Sequence, residues 1–321
     1  MTNITRRGAI GAATILAAPA LLGARQANGQ AAAPPVVGPT FHRFRVGALT
    51  VTVVTDGTNV RADATRGLVA NASPEQVAAA MQGAGLTGAA MRNPFNVTFV
   101  ETPRGLIALD AGTGGFPNTD TGTLQANMRA AGLDPARVVL VAHTHFHGDH
   151  IGGLLASDGS AVFPQAEVAV PEREWAFWTD AGEESRAAEN RRPNFANVRR
   201  RFAPYQQRLS RFAPDAEVAP GIRAVASNGH SPGHNSFLVH DGSQQALVIG
   251  DAITSPTFFM VNPEWYPVFD MDPTMAVETR KRLLDRAATD RMPVVGYHFD
   301  MPATGRVERA GTGYRLVPAN A

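Results

Sequence analysis

The chain has 321 residues, and its 29 Lys and Arg residues nearly balance its 28 Asp and Glu residues, for a formal net charge of +1. That balance offers no basic stripe for a phosphate backbone, so nucleic acid is not an expected partner. The lack of cysteine excludes disulfides, thiolate metal ligands and cysteine nucleophiles, and stability must come from an ordinary apolar core.

Thr5-Arg6-Arg7-Gly8 opens a moderately apolar stretch, Ala9 to Gly23, which passes through Ala27-Asn28-Gly29 to Ala31-Ala32-Ala33. This is the three-part pattern of a secretory signal of the twin-arginine type. It predicts a signal peptide over residues 1–33, cleavage near residues 29 to 33, and a periplasmic or secreted protein. Pro19 and the short apolar length argue against a stable membrane anchor.

After a Pro-rich tether at Pro34 to Pro39, Phe41 to Thr55 alternates and reads as strands joined at Gly47. Ser73-Pro74-Glu75-Gln76 combines a capping residue, a proline at the first helical position and a glutamine three residues after the cap, predicting a helix through about Gly83. Phe95 to Val100 and Gly105 to Leu109 read as paired strands around the turn Thr102-Pro103-Arg104, and a helix follows from about Thr123 to Ala131. Val138, Val139, Leu140, Val141 and Ala142 then form a short apolar run of buried-strand type.

That strand ends in His-Thr-His-Phe-His-Gly-Asp-His, residues 143 to 150, which places His145, His147, Asp149 and His150 close together as possible metal ligands. Alternation along extended backbone sends His145 and His147 to one side, and a turn at Gly148 lets Asp149 and His150 point back toward the same space. The zincin pattern His-Glu-x-x-His is absent, so the site is expected on a loop, with two metal positions.

Pro171 to Phe212 is rich in Arg, Glu, Ala and aromatics and reads as helices inserted between two halves of the fold. Asp272-Pro273 starts a further helix to about Ala288. Three more candidates each follow an apolar run: His234 after Ser231-Pro232-Gly233, beyond Ile222 to Ala226; Asp251 after Ala246 to Gly250; and His298 after Pro293 to Tyr297. His42, His143, His230 and His240 are left as structural or surface histidines.

The order Thr-His-x-His-x-Asp-His at residues 144–150, Ser-Pro-Gly-His at 231–234, Gly-Asp at 250–251 and Tyr-His at 297–298 resembles the metallo-β-lactamase superfamily. Leu109-Asp110-Ala111-Gly112, Ala224 to His230, and Gly313 to Pro318 further resemble the branch of methyl parathion hydrolase and related periplasmic lactonases and aryl-esterases. The resemblance implies an α/β fold, a four-layer αββα sandwich over residues 34–321, and a homodimer. It implies that His145, His147 and His234 hold one metal, that Asp149, His150 and His298 hold the other, that Asp251 bridges both, and that Asp110 orients a ligand histidine. Two divalent ions of this kind could bind a bridging hydroxide steered by Asp149 or Asp251, with zinc the first choice and manganese, iron or cobalt able to replace it.

Related acyl-homoserine lactonases place a tyrosine three residues after the bridging aspartate, where this sequence has Thr254. That departure favours lactones with aromatic groups, aryl esters or phosphotriesters over acyl-homoserine lactones. Phe116, Trp178, Phe258 and Phe259 could line an apolar wall of the substrate pocket, with core packing the other reading of each. An acyl-homoserine lactonase, a β-lactamase, a thioesterase and a non-catalytic metal-binding protein are the other readings.

Overall fold

The computed structural model describes residues 39–319, so the expected signal peptide and nearly all of the Pro-rich tether lie outside the described residues. A first sheet contains β1 (Phe41–Val46), β2 (Leu49–Arg61), β3 (Met91–Thr102), β4 (Gly105–Leu109), β5 (Asp120–Thr121), β6 (Val138–Ala142), β7 (Glu167–Pro171) and β8 (Leu209–Phe212). The second contains β9 (Glu217–Ala219), β10 (Ile222–Ala226), β11 (Asn235–Asp241), β12 (Gln244–Val248), β13 (Pro293–Val295), β14 (Thr304–Ala310) and β15 (Gly313–Pro318). Spatial order is β1-β2-β3-β4-β6-β7-β8, with β5 beside β2, and β15-β14-β13-β12-β11-β10-β9. In the first sheet β1, β2, β3 and β4 pair antiparallel in sequence order, whereas β4, β6, β7 and β8 run parallel through helical crossovers.

The helices are α1 (Pro74–Gly83), α2 (Leu124–Ala130), α3 (Gly148–Ile151), α4 (Glu172–Thr179), α5 (Ala181–Arg186), α6 (Arg192–Phe202) and α7 (Pro273–Thr289). Ser73 and Gln76 close a reciprocal capping box on α1, and the Asp272 side chain accepts from Met275 N to start α7. Both caps satisfy amides that the first helical turn would otherwise leave unpaired.

Two apolar layers explain the run that precedes the histidines. Leu140 and Ala142 join Val51, Val53 and Ile107 in a core shared with Ile222, Phe237, Val239 and Leu247 of the second sheet, while Val138 and Val141 pack with Met128, Phe195 and Phe202 of the helices behind. With both faces covered, β6 has no solvent side and cannot alternate apolar with polar. On the far side of the second sheet, Leu283, Leu284 and Ala287 of α7 complete the four-layer αββα sandwich. No helix among the described residues is long and apolar enough to cross a membrane.

Candidate metal centre

The four strand ends that the sequence singled out meet at one edge of the sandwich. His145, His147, Asp149 and His150 leave β6 on the short loop that turns into α3; His230 and His234 lie between β10 and β11; Asp251 follows β12; and His298 follows β13. Donor atoms of His145, His147, His230 and Asp251 lie within 4.8 Å of one another, and so do those of Asp149, His150, Asp251 and His298. Asp251 belongs to both groups.

Contacts inside each group are close. Nδ1 of His147 is 2.9 Å from Nε2 of His230, which is 3.3 Å from Asp251 Oδ2. Nε2 of His298 lies 3.3 Å from Asp251 Oδ2 and 3.4 Å from Asp149 Oδ2, and Nε2 of His150 lies 3.2 Å from Asp251 Oδ1. Two donors held about 2.0–2.1 Å from a tetrahedral ion stand about 3.3 Å apart, so this spacing fits divalent coordination. Nε2 of His145, Nε2 of His150 and Oδ1 of Asp251 are fully buried and have no hydrogen-bond partner. Leaving such groups unpaired costs about 1–3 kcal/mol each, a cost that shared coordination removes. The donor set fits two ions.

His234 is not part of either group, and this corrects the assignment made from sequence. Its Nε2 accepts the backbone N–H of Asp251 at 3.0 Å, so Nδ1 carries the proton and donates to Ser227 Oγ at 2.7 Å. Burial and the charge of His230 lower it to about 3, which keeps the ring in that neutral form. Both nitrogens are used, and no lone pair is free for a metal. The imidazole instead braces the backbone of Asp251, closely enough that a Cβ on Gly250, whose φ is +53°, would lie 2.8 Å from His234 Nε2.

His230, set aside from sequence as structural, is the histidine whose donor atom joins the group instead. The reading from sequence chose the histidine that follows the Pro-Gly turn; the chain instead turns inward before that pair, and His234 already sits at the mouth of β11. A usable signal was present, because His230 is the first imidazole after the β10 run, as His298 is after the β13 run.

The second ring nitrogens of His145, His150, His230 and His298 are also tied. Asp110 Oδ2 lies 2.8 Å from Nδ1 of His150, and the same carboxylate accepts from Thr144 N and Thr144 Oγ1. Its backbone is left-handed, with φ +69°, an unfavourable conformation for a non-glycine residue that aims the carboxylate into the loop. Nδ1 of His145 is 3.0 Å from Thr144 Oγ1, Nδ1 of His298 is 2.9 Å from Pro94 O, and Nδ1 of His230 is 2.8 Å from Asp270 Oδ1. Such partners fix tautomer and ring angle.

Charge follows the same geometry. Burial pushes His145 and His147 well below the ordinary imidazole value, favouring the neutral, ligating form. Burial acts on His150 too, but Asp251, Asp110 and Asp149 outweigh it and raise it well above that value. His230 is lifted to about 9 against burial by Asp251 and Asp270. The carboxylates thus draw positive charge into the site, and a divalent ion meets that demand while leaving the imidazoles neutral.

Residues 92–298 match the family described as the metallo-beta-lactamase superfamily. The chain belongs to this superfamily. Among solved structures, the hydrolase AbOPH of the beta lactamase superfamily is similar at 26% identity and TM-score 0.81, covering 88% of this chain and 99% of that one. AidC, a dizinc quorum-quenching lactonase in complex with a product, has the same TM-score of 0.81 at 21% identity, covering 88% of this chain and 98% of its own, a likeness of fold. Acyl-coenzyme A thioesterase MBLAC2 of Gallus gallus is 28% identical over 235 residues, 69% of this chain and 78% of that protein. YobT of Bacillus subtilis (strain 168) is 28% identical over 159 residues, 50% of this chain, and the match spans 62% of YobT's length.

Around the metallo-β-lactamase centre, the pocket residues expected from sequence divide. Trp178 is 1% exposed, and its ring lies 6.2 Å from that of His147. It lines a cavity of about 350 Å³ with Phe177, Phe195, Met271, Met275 and Arg191, beside the Gly229 to Pro232 loop. Phe116 is half-buried and edge-on to Phe95, which is itself edge-on to His298, and Thr254 is half-buried. Phe258 and Phe259 are a correction: both are fully buried, because a short π-helix at Pro256–Met260 tucks them into the core between the sheets. They do not line the cavity.

Glu174 was missed altogether. Its carboxylate, inside the first turn of α4, accepts from Phe146 N and Trp178 Nε1 on one oxygen and from Ser231 Oγ and Gly233 N on the other, at 2.7–3.2 Å. It therefore joins the loop of His145 and His147 to the loop of His230. Burial pushes its carboxyl up, although all these donors oppose the shift. The approach is so close that a Cβ on Gly233 would lie 2.2 Å from Glu174 N. Glu174→Gln replaces an acceptor with an NH₂ among donors; turned toward Ser231, whose hydroxyl can reverse, it still leaves Gly233 N unpaired. We expect a loss of about 1–3 kcal/mol in a denaturant titration, and an unchanged midpoint would show that the hub does not hold the two loops.

Proposed function

We propose that the chain is a binuclear metal-dependent hydrolase of lactones and aryl esters, with phosphotriesters as a second substrate class. The observation that carries this reading is the position of Asp251, shared by two convergent donor groups, with His145, His147 and His230 on one side and Asp149, His150 and His298 on the other. When bound, a pair of divalent ions, zinc first, supplies a hydroxide at neutral pH and polarises a carbonyl or phosphoryl oxygen. The chain's own side chains position and bind. Asp149 is the more exposed of the two cage carboxylates, with a side chain 20% exposed against 5% for Asp251, so it is placed to take a proton and pass it to solvent. Tyr297 donates to Asp149 O at 2.6 Å and stacks on His150 with centroids 3.8 Å apart, which fixes the loop. Trp178 and Phe177 offer an apolar wall beside His147 for an aryl or alkyl group. The twin-arginine pattern supports export to the periplasm or beyond.

A thioester is the second reading. It is favoured by the likeness to MBLAC2 and by Arg173 and Arg191 along the cavity, which suit an anionic leaving group.

Elemental analysis of purified protein is expected to give about two divalent ions per chain, with activity lost on chelation and restored by adding metal. A protein free of stoichiometric transition metal would remove the mechanism. Substrate class rests on Thr254, which is too short to donate to a lactone carbonyl as a tyrosine would. Good leaving groups should therefore be preferred. Comparing kcat/KM for an aryl ester, an aryl lactone, a phosphotriester, an acyl thioester and a long-chain acyl-homoserine lactone tests this. A preference of tenfold for the homoserine lactone, about 1.4 kcal/mol, would overturn the aryl reading.

A further inference from the structure

We propose that Asp270 and Arg280 form a positioning brace that sets how tightly the His145, His147 and His230 cage holds its divalent ion, an inference that rests on the binuclear reading above. Asp270 is buried just before α7, and its two oxygens face in different directions. Oδ1 is 2.8 Å from Nδ1 of His230, and Oδ2 accepts from Nη2 of Arg280 at 3.1 Å. The backbones are clamped together as well, with Met271 N donating to His230 O and Asp272 N donating to Gly229 O. A Cβ on Gly229 would lie 2.3 Å from Ala276 N, so the ligand loop rests directly on the first turn of α7.

Arg280 is 1% exposed in the middle of α7 and reaches the metal centre from behind. Nε donates to Ala252 O at 3.1 Å, Nη1 to Trp265 O at 2.6 Å, and the guanidinium lies 5.1 Å over the ring of Phe259. Ala252 follows Asp251, the carboxylate common to both cages. One guanidinium thus grips the loop of Asp251 directly and the loop of His230 through Asp270. A buried ion pair is weak evidence for stability, since apolar residues of similar volume often serve as well. What apolar residues could not supply is an anionic acceptor at Nδ1 of His230, which keeps the proton there and turns the lone pair of Nε2 toward His147 Nδ1 and Asp251 Oδ2. Carboxylates placed behind ligand histidines typically change metal affinity about 10- to 100-fold.

The test is stepwise zinc binding by calorimetry on the full-length protein, with cobalt absorption identifying the nitrogen-rich cage. Asp270→Asn keeps shape and an acceptor but removes the charge. We expect about 10- to 100-fold weaker binding of the ion in that cage, and less than about threefold change for the other. Arg280→Lys keeps a cation beside Asp270 but cannot span Ala252 and Trp265 as well; it should weaken both ions by at least about threefold, because Asp251 serves both. A brace that is only structural would lower the melting temperature and leave both affinities unchanged, and that result overturns the proposal, as does equal weakening of both ions in Asp270→Asn. If Asp270→Asn does not fold, Arg280→Lys decides by the same criterion. Wild-type protein that binds no ion removes the binuclear reading itself and this inference with it, whereas two ions held with unchanged affinity in the variants removes the brace alone.

Discussion

Asp251→Ala is expected to lower kcat/KM by on the order of a thousandfold, about 4 kcal/mol of transition-state stabilisation, with the fold retained. No other side chain among the described residues belongs to both donor groups, so its loss removes a ligand from each at once. The carboxylate is 5% exposed, and burial opposes its ionisation, but the charges of His298 and His150 hold it well below the ordinary carboxylate range. Removing it therefore takes out the anion around which the imidazoles are gathered. The fold should tolerate the change, because the backbone of Asp251 remains fixed through its N–H to His234 Nε2, and the core beneath belongs to Leu247, Val248 and Ile249. Circular dichroism, metal content and kcat/KM together check this. Full activity in a folded variant would mean that another carboxylate bridges the ions.

Much of the scaffold was legible because local chemistry determined it. The apolar run Val138 to Ala142 fitted a strand covered on both faces and is one, the Ser73 and Asp272 caps start their helices where expected, and Gly47, with φ +58°, turns between β1 and β2. The motif at residues 143 to 150 carried its meaning in spacing alone, since alternation and one turn suffice to bring its donors together. What sequence could not give were contacts that close over long separations. Glu174 meets Ser231 and Gly233 from 57 and 59 residues away, and Asp270 meets His230 from 40. Nothing near Glu174 in sequence distinguishes it from Glu172, which is exposed on the same helix. Phe258 stayed open between pocket and core for a related reason: an aromatic residue shortly after a ligand suits either, and the π-helix at Pro256–Met260 decides for the core.

The choice between His230 and His234 is the sharpest case, and it is open to direct measurement. His230→Ala removes a donor whose Nε2 stands 2.9 Å from His147 Nδ1 and 3.3 Å from Asp251 Oδ2, so one cage is left with His145, His147 and the shared carboxylate. Bound metal should fall from about two ions toward one, and activity by about a hundredfold or more, on the order of 3 kcal/mol or above. The same change leaves Asp270 buried with only Arg280 for company, so some loss of stability is expected as well. His234→Ala acts differently. It deletes the acceptor of Asp251 N and the partner of Ser227 Oγ, and leaves a cavity where the ring was, which together should cost about 2–4 kcal/mol of stability. Because no metal-facing lone pair is lost, metal content should stay near two, and activity should fall only as far as a loosened Asp251 backbone allows. Elemental analysis of the two purified variants, alongside their unfolding midpoints, separates the roles. If His234→Ala loses an ion while His230→Ala keeps both, then the ring that braces Asp251 in this structure is the true ligand, and the assignment returns to the one drawn from the Ser-Pro-Gly-His motif.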